Sequence, residues 1–214
     1  MTHRAIQPDV NLASLLPGPT RDRFERAGLD VSQYPFWPQR PTDLSLATAV
    51  RDNVRRHDDP GLRADKDKKA LFGAAKEVIN LSPHLGTEIV GLQLSQLSDT
   101  QRDELALLIA ERTVVFFRDQ DSLTPQAQRD LGAYFGDVEV HPSGPQVPGL
   151  PGITVIWDKL LGDNKPGFRH PFGSQNWHTD LVHEKQPPGV THLHNDSEPT
   201  LLAYASVLPP DKQC

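Results

Sequence analysis

The chain has 214 residues and a net charge of -6, with no basic stripe that would neutralise the phosphates of a nucleic acid. Only 36% of its residues are hydrophobic, and its 20 prolines are about twice the usual share of roughly 5%, so irregular segments are expected. The single cysteine, Cys214, excludes an intrachain disulfide and a cysteine-based metal site, and no apolar run has the length of a membrane span. We therefore expect a soluble cytoplasmic protein without nucleic-acid or membrane partners.

Residues 1–80 are predicted to form a partly irregular N-terminal extension. Up to about residue 64, proline, arginine and aspartate mix with scattered aromatic residues, without a sustained period of 2 or 3.6. Beyond Asp65 the apolar residues fall at the spacing of an amphipathic helix, which we expect near residues 66–80 with Asp65 as its cap. The residues of this stripe are Leu71, Phe72, Ala75, Val78 and Ile79.

Residues 81–214 alternate strand and helix signals. Ser98 and Gln101 form a capping box for a helix that runs to Arg112, and Thr124 with Pro125 begins another that stops at Gly136. Alternating or β-branched runs predict strands at 88–94, 113–117, 153–157 and 190–194. Arg118 is expected to form a structural ion pair with Asp119 or Asp121.

Three His-x-Asp sequences occur, at His57, His178 and His194, although roughly one is expected by chance from 9 His and 20 Asp. The first lies in a charged run that is typical of a solvated loop, and the aspartate of the third lies in a polar turn. The middle sequence, His178-Thr179-Asp180, has Trp177 before it and an apolar pair after it. In a β conformation its imidazole and carboxylate would point to one face, as two ligands of one metal ion must.

Four segments carry a resemblance to a known family. They are LGTEIVGLQLSQL from Leu85, ERTVVFFRDQ from Glu111, the Tyr134-Phe135-Gly136 turn leading to His141-Pro142, and WHTDLVHEKQPPGVTHLHN from Trp177. In this order they resemble the TauD/TfdA family of iron(II)- and 2-oxoglutarate-dependent dioxygenases, particularly the fungal sulfonate dioxygenases. The resemblance implies a mixed α and β fold: an incomplete double-stranded β-helix, or jelly-roll, with flanking helices and an irregular N-terminal arm.

The resemblance also implies the site. His178 and Asp180 match two members of a 2-His-1-carboxylate triad, the arrangement of non-haem iron(II) oxygenases with open coordination positions. The implied cofactors are Fe(II) and 2-oxoglutarate, and the reactants are O₂ and a sulfonate or similar small organic acid. His141 matches a histidine that contacts the sulfonate, but Gly144 and Ser174 stand where taurine-using relatives have an aromatic residue and an asparagine, which puts taurine itself in doubt.

The resemblance is lost after about residue 196. There the family has a Gly-Gly-Asp-Thr stretch and later a distal histidine and an arginine for 2-oxoglutarate, whereas this sequence continues SEPTLLAYASVLPPDKQC. We therefore expect a C-terminally truncated form, and the alternative to an active dioxygenase is a catalytically inactive fragment or pseudoenzyme. His192 or His194 as a replacement ligand, and a homo-oligomer in which another copy supplies the histidine, are further hypotheses.

Overall fold

The computed structural model describes residues 43–156 apart from 53, 55, 143 and 148, and residues 180–195 apart from 182 and 183. It also describes residues 21–22 and 25–26, which are helical. The chain divides into two units, one of Phe36–His192 and one of Met1–Pro35 with Leu193–Cys214. Every helix and strand named below lies in the first unit.

The first unit mixes helices and strands, as predicted. The helices are α1 (Ser45–Asp52), α2 (Lys69–Ala74), α3 (Asp99–Arg112) and α4 (Pro125–Phe135). The strands are β1 (Glu77–Asn80), β2 (Thr87–Val90) and β3 (Val115–Phe117), and short 3-10 turns occupy Pro60–Arg63 and Leu94–Gln96. None of the helices in the described part is long and apolar enough to cross a bilayer.

The helix predicted near residues 66–80 is wrong in its second half. Helix α2 has only six residues, and Val78 and Ile79 belong to β1, where they pair with β2. Such β-branched side chains pack well against a neighbouring strand, and this long-range pairing overrides the helical spacing. Asp65 is not the cap either, because its carboxylate accepts a hydrogen bond from the Asp67 N–H while Lys68, in a left-handed conformation, precedes the helix.

The sheet has three strands in the order β1, β2, β3, with β2 antiparallel to β1 and parallel to β3. Helix α3 lies in the crossover between the two parallel strands, as the geometry of parallel pairing demands. The strand predicted at 113–117 is confirmed as β3, whereas the strand predicted at 88–94 forms only in its first half, as β2, and Leu94 begins a 3-10 turn. Strand β3 is less buried than expected, since Phe116 is 49% exposed.

The core lies between the inner face of the sheet and helices α2, α3 and α4. Its fully buried members include Leu71 of α2 and Ile89 of β2. The remaining buried residues of this cluster are Leu94, Leu97, Leu105, Leu108, Leu123 and Leu131. Burial of such side chains is worth roughly 1.5 to 3 kcal/mol each, and it fixes the frame that carries the loops described below.

The ends of α3 and α4 follow the predicted capping residues. The Ser98 hydroxyl accepts from the Gln101 N–H, the Gln101 side chain accepts from the Ser98 N–H, and the Thr124 hydroxyl accepts from the Ala127 N–H. At the other end of α3, Arg112 donates to the carbonyls of Ser82, Pro83 and Gly86 and so holds the β1–β2 connection.

The extension predicted for residues 1–80 does not lie apart from the core throughout. Pro60 is buried, and Arg63 makes a two-pronged ion pair with Asp103 of α3, at 2.7 and 3.2 Å. The Tyr134 hydroxyl of α4 donates to the same carboxylate at 2.7 Å. One aspartate therefore joins the first 3-10 turn to two helices, which no pattern within residues 1–64 indicated.

The strands predicted at 153–157 and 190–194 do not form within the described residues, and Trp157 lies outside them. Thr154 makes an isolated antiparallel bridge with Gln146, and this bridge does not extend into a strand within residues 153–156. Residues 190–195 contain no strand.

Candidate functional site

His141 is held at the start of a hairpin-like loop. Its Nδ1 accepts a hydrogen bond from the Gly144 N–H at 2.8 Å, and its carbonyl accepts from the side chain of the buried Gln146 at 3.0 Å. Further along the loop, the Val147 N–H donates a hydrogen bond to the Ile153 carbonyl at 3.0 Å. Because Nδ1 is an acceptor, a neutral His141 ring carries its proton on Nε2, and this nitrogen is the donor of the ring.

The neighbours of position 144 leave little room for a side chain. A Cβ there would lie 2.7 Å from the Thr154 methyl carbon and 3.2 Å from His141 Nδ1. The aromatic side chain expected here in taurine-using relatives would not fit without moving the loop. The packing thus gives a physical reason for the departure seen in the sequence.

Asp180 lies at the start of a tight turn. Leu181 has a left-handed backbone with φ of 47°, and its carbonyl accepts from the Glu184 N–H at 2.9 Å. The Asp180 side chain is exposed, and its Oδ2 accepts a hydrogen bond from the Thr191 hydroxyl at 3.4 Å. A solvent-facing carboxylate is a hard oxygen donor that a divalent cation can reach.

The loop from residue 184 to residue 192 is anchored at both ends. At one end the Glu184 N–H donates to the Leu181 carbonyl at 2.9 Å, and at the other end the Gln128 side chain of α4 donates to the His192 carbonyl at 3.3 Å. These anchors bring Thr191 to Asp180 across eleven positions of the chain. No periodicity in the sequence signalled Thr191, because the contact depends on the path of the loop.

His178, the other predicted ligand, lies outside the described residues, so the geometry of the pair stays a prediction. Within the residues that the structure describes, no group of three or more His, Cys, Asp or Glu side chains is placed to hold a metal ion. Asp180 is the described member of the predicted pair, and its chemistry fits Fe(II). His192 and His194 are half-buried.

The first His-x-Asp sequence has an ordinary structural role. Asp59 accepts from the Gly61 N–H at 2.8 Å and caps the first 3-10 turn, and His57 is exposed. The loop interpretation of this segment is confirmed.

The partner of Arg118 is Glu88, and the expected pairing with Asp119 or Asp121 is wrong. The guanidinium binds both carboxylate oxygens of Glu88, with Nη2 at 3.2 Å from Oε2 and a close second contact through Nε. Glu88 is buried in β2 and Arg118 follows β3, so the pair ties the two parallel strands together.

The chain is similar in sequence to a known protein family and to known dioxygenases. The profile of the family described as "Taurine catabolism dioxygenase TauD, TfdA family" matches residues 77–201. The chain is 40% identical over 151 residues to the alpha-ketoglutarate-dependent dioxygenase cnsP of Penicillium expansum, an alignment that covers 67% of this chain and 40% of that protein.

Two further relatives have names that state a substrate class. An alpha-ketoglutarate-dependent sulfonate dioxygenase of Saccharomyces cerevisiae is 37% identical, with 62% of this chain and 34% of that protein covered. An alpha-ketoglutarate-dependent sulfate ester dioxygenase of Pseudomonas putida is 26% identical, with 59% and 40% covered. The matched part of the chain thus spans two fifths or less of the length of these three relatives.

Proposed function

Since the chain belongs to the TauD, TfdA family, we propose that it acts in an Fe(II)- and 2-oxoglutarate-dependent dioxygenase whose substrate is a sulfonate, a sulfate ester or a similar small organic acid. The observation that carries the proposal is the family match over residues 77–201, which includes His141, His178 and Asp180. The three-stranded sheet is, in this proposal, part of the jelly-roll of the family.

His178 and Asp180 are the proposed protein ligands of Fe(II). An imidazole and a carboxylate suit this ion, and the open positions of such a site take 2-oxoglutarate and O₂. When bound, the iron and its keto acid supply the oxidising chemistry, and the task of the chain is to hold ligands in position and to exclude water. The Asp180 carboxylate supplies the hard oxygen donor of the pair.

His141 is the proposed contact for the sulfur oxyanion. The Gly144 N–H occupies Nδ1, so the neutral ring presents an Nε2–H donor, and a sulfonate or sulfate ester presents only acceptor oxygens. The names of the Saccharomyces and Pseudomonas relatives state substrates of this chemistry. The absence of an aromatic residue at Gly144 favours a substrate other than taurine.

Succinate release tests the reaction. The purified 214-residue chain, supplied with Fe(II), 2-oxoglutarate, O₂ and a panel of alkyl sulfonates and sulfate esters, should release succinate in a substrate-dependent manner. His178→Ala and Asp180→Ala should abolish the release, since each removes a metal ligand. His57→Ala is the matched control, because this exposed histidine belongs to the His-x-Asp sequence that only caps a turn.

The substrate role of His141 has its own measurement. His141→Asn keeps an acceptor near the position of Nδ1 for the Gly144 N–H and removes the Nε2–H donor. It should raise the KM for the sulfonate by about tenfold or more, in line with the 1.5 to 3 kcal/mol of a hydrogen bond to a charged group, and leave the KM for 2-oxoglutarate unchanged. No succinate from the folded chain, or release that survives His178→Ala, would contradict the proposed function and favour a non-catalytic role for this chain.

A further inference from the structure

We propose that Thr191 is a positioning residue for the metal site: its hydroxyl holds the Asp180 carboxylate in the orientation in which the carboxylate binds the metal ion. The inference rests on the proposed function, since it takes Asp180 as a ligand. Its starting observation is the hydrogen bond from Thr191 Oγ1 to Asp180 Oδ2 at 3.4 Å. Ligating carboxylates in metal sites are themselves hydrogen-bonded, and such partners set the orientation of the ligand.

The position of Thr191 does not depend on its own exposed side chain. The next residue, His192, is fixed through its carbonyl by the Gln128 side chain of α4. At the other end of the loop, the hydrogen bond from the Glu184 N–H to the Leu181 carbonyl closes the turn that follows Asp180. These two hydrogen bonds, one at each end of the loop, therefore define where the hydroxyl and the carboxylate meet.

The chemistry of the pair suits this role. A threonine hydroxyl has one proton to donate, so a bond to Oδ2 leaves the carboxylate charged while it restricts rotation about the Cβ–Cγ bond. The distance of 3.4 Å is long for a bond between a hydroxyl and a carboxylate, which is normally 2.5 to 3.0 Å. We expect the bond to shorten when a cation fixes the other side of the carboxylate, as hydrogen bonds in unliganded enzyme sites often tighten when the ligand binds.

The test compares metal affinity among variants of the full 214-residue chain. Fe(II) binding is measured by anaerobic titration calorimetry, and Co(II) binding by its visible absorption, which reports the ligand geometry. Thr191→Val keeps the shape and removes the hydroxyl, and it should weaken both metals by about 10- to 100-fold, the usual effect of losing an outer hydrogen-bond partner. Thr191→Ser keeps the hydroxyl and should retain most of the affinity.

Two more variants separate positioning from a general loss of structure. Thr48→Val changes an exposed threonine of α1 and should leave metal binding as in the wild type. Gln128→Met removes the anchor of His192 and should weaken binding while Thr191 is still present. Urea unfolding measures the stability of each variant. The free energy of unfolding of Thr191→Val should differ from that of the wild type by no more than about 0.5 kcal/mol, as expected for an exposed position.

The outcomes distinguish this inference from the proposed function. Wild-type affinity in Thr191→Val, together with lost affinity in His178→Ala and Asp180→Ala, would overturn the role of Thr191 and keep the ligand pair. Binding that is unaffected by His178→Ala or Asp180→Ala, or no binding by the folded wild type, would overturn the ligand pair and the inference that depends on it.

Discussion

Glu104 offers the sharpest test of the frame that holds the site. This residue of α3 is 1% exposed, and its carboxylate accepts from the Leu71 N–H at 2.6 Å and from the Ala70 N–H at 3.3 Å. Both donors belong to the first turn of α2, where N–H groups have no partner within the helix. A side chain more than thirty positions away therefore caps a helix that has no side-chain cap of its own.

The size of the effect follows from these contacts. Glu104→Gln keeps one acceptor oxygen but loses the charge and turns an NH₂ group toward the second donor, so a loss of about 2 kcal/mol is expected from hydrogen bonding and the helix dipole. Glu104→Met removes both acceptors. It leaves one buried and one half-buried N–H unpaired at about 1 to 3 kcal/mol each, and we expect a loss of about 4 kcal/mol.

Urea unfolding followed by far-ultraviolet circular dichroism measures these losses, and amide hydrogen exchange at Ala70 and Leu71 locates them. Asp130→Asn is the matched control, since this exposed carboxylate accepts from the side chain of Gln126, one turn earlier on the same helix, and should change stability by less than about 0.5 kcal/mol. If the cost of burying the carboxylate outweighed its hydrogen bonds, Glu104→Met would be neutral or stabilising. That result would refute the capping argument.

Three further predictions concern strain, ionisation and packing. Thr113 is exposed with φ of 67° and ψ of -45°. Thr113→Gly should therefore raise stability by about 1 kcal/mol in urea unfolding, whereas Thr113→Ala, which keeps a Cβ, should not. Burial and the hydrogen bond to Asp103 raise the pKa of Tyr134. The folded chain therefore keeps this proton above about pH 10, where the unfolded chain loses it, and stability should fall as pH rises past that value; a flat profile in the wild type, or the same fall in Tyr134→Phe, would contradict this. Gly144→Ala should cost about 1 to 3 kcal/mol by crowding the Thr154 methyl group, and Thr154→Ser should recover most of that loss; failure of this rescue in a double-mutant cycle would count against the packing argument.

The sequence alone determined the elements whose signals are local. The predicted starts of α3 and α4 are correct because Ser98, Gln101 and Thr124 bond to backbone groups three positions away, and such spacing is visible in the sequence. The family was recognised for a similar reason, since its motifs are short and occur in a fixed order. The ligand pair His178 and Asp180 remains a prediction from those motifs.

Tertiary structure decided everything that depends on partners far along the chain. The stripe from Leu71 to Ile79 divides into a helix and a strand, because β2 pairs with its second half and Glu104 caps its first. Arg118 selects Glu88, thirty positions away, over its neighbouring aspartates. Thr191 reaches Asp180 only because α4 anchors the loop between them. The spacing of residues along the sequence indicates hydrogen bonds within one helical turn, whereas these contacts form only after the core has brought distant segments together.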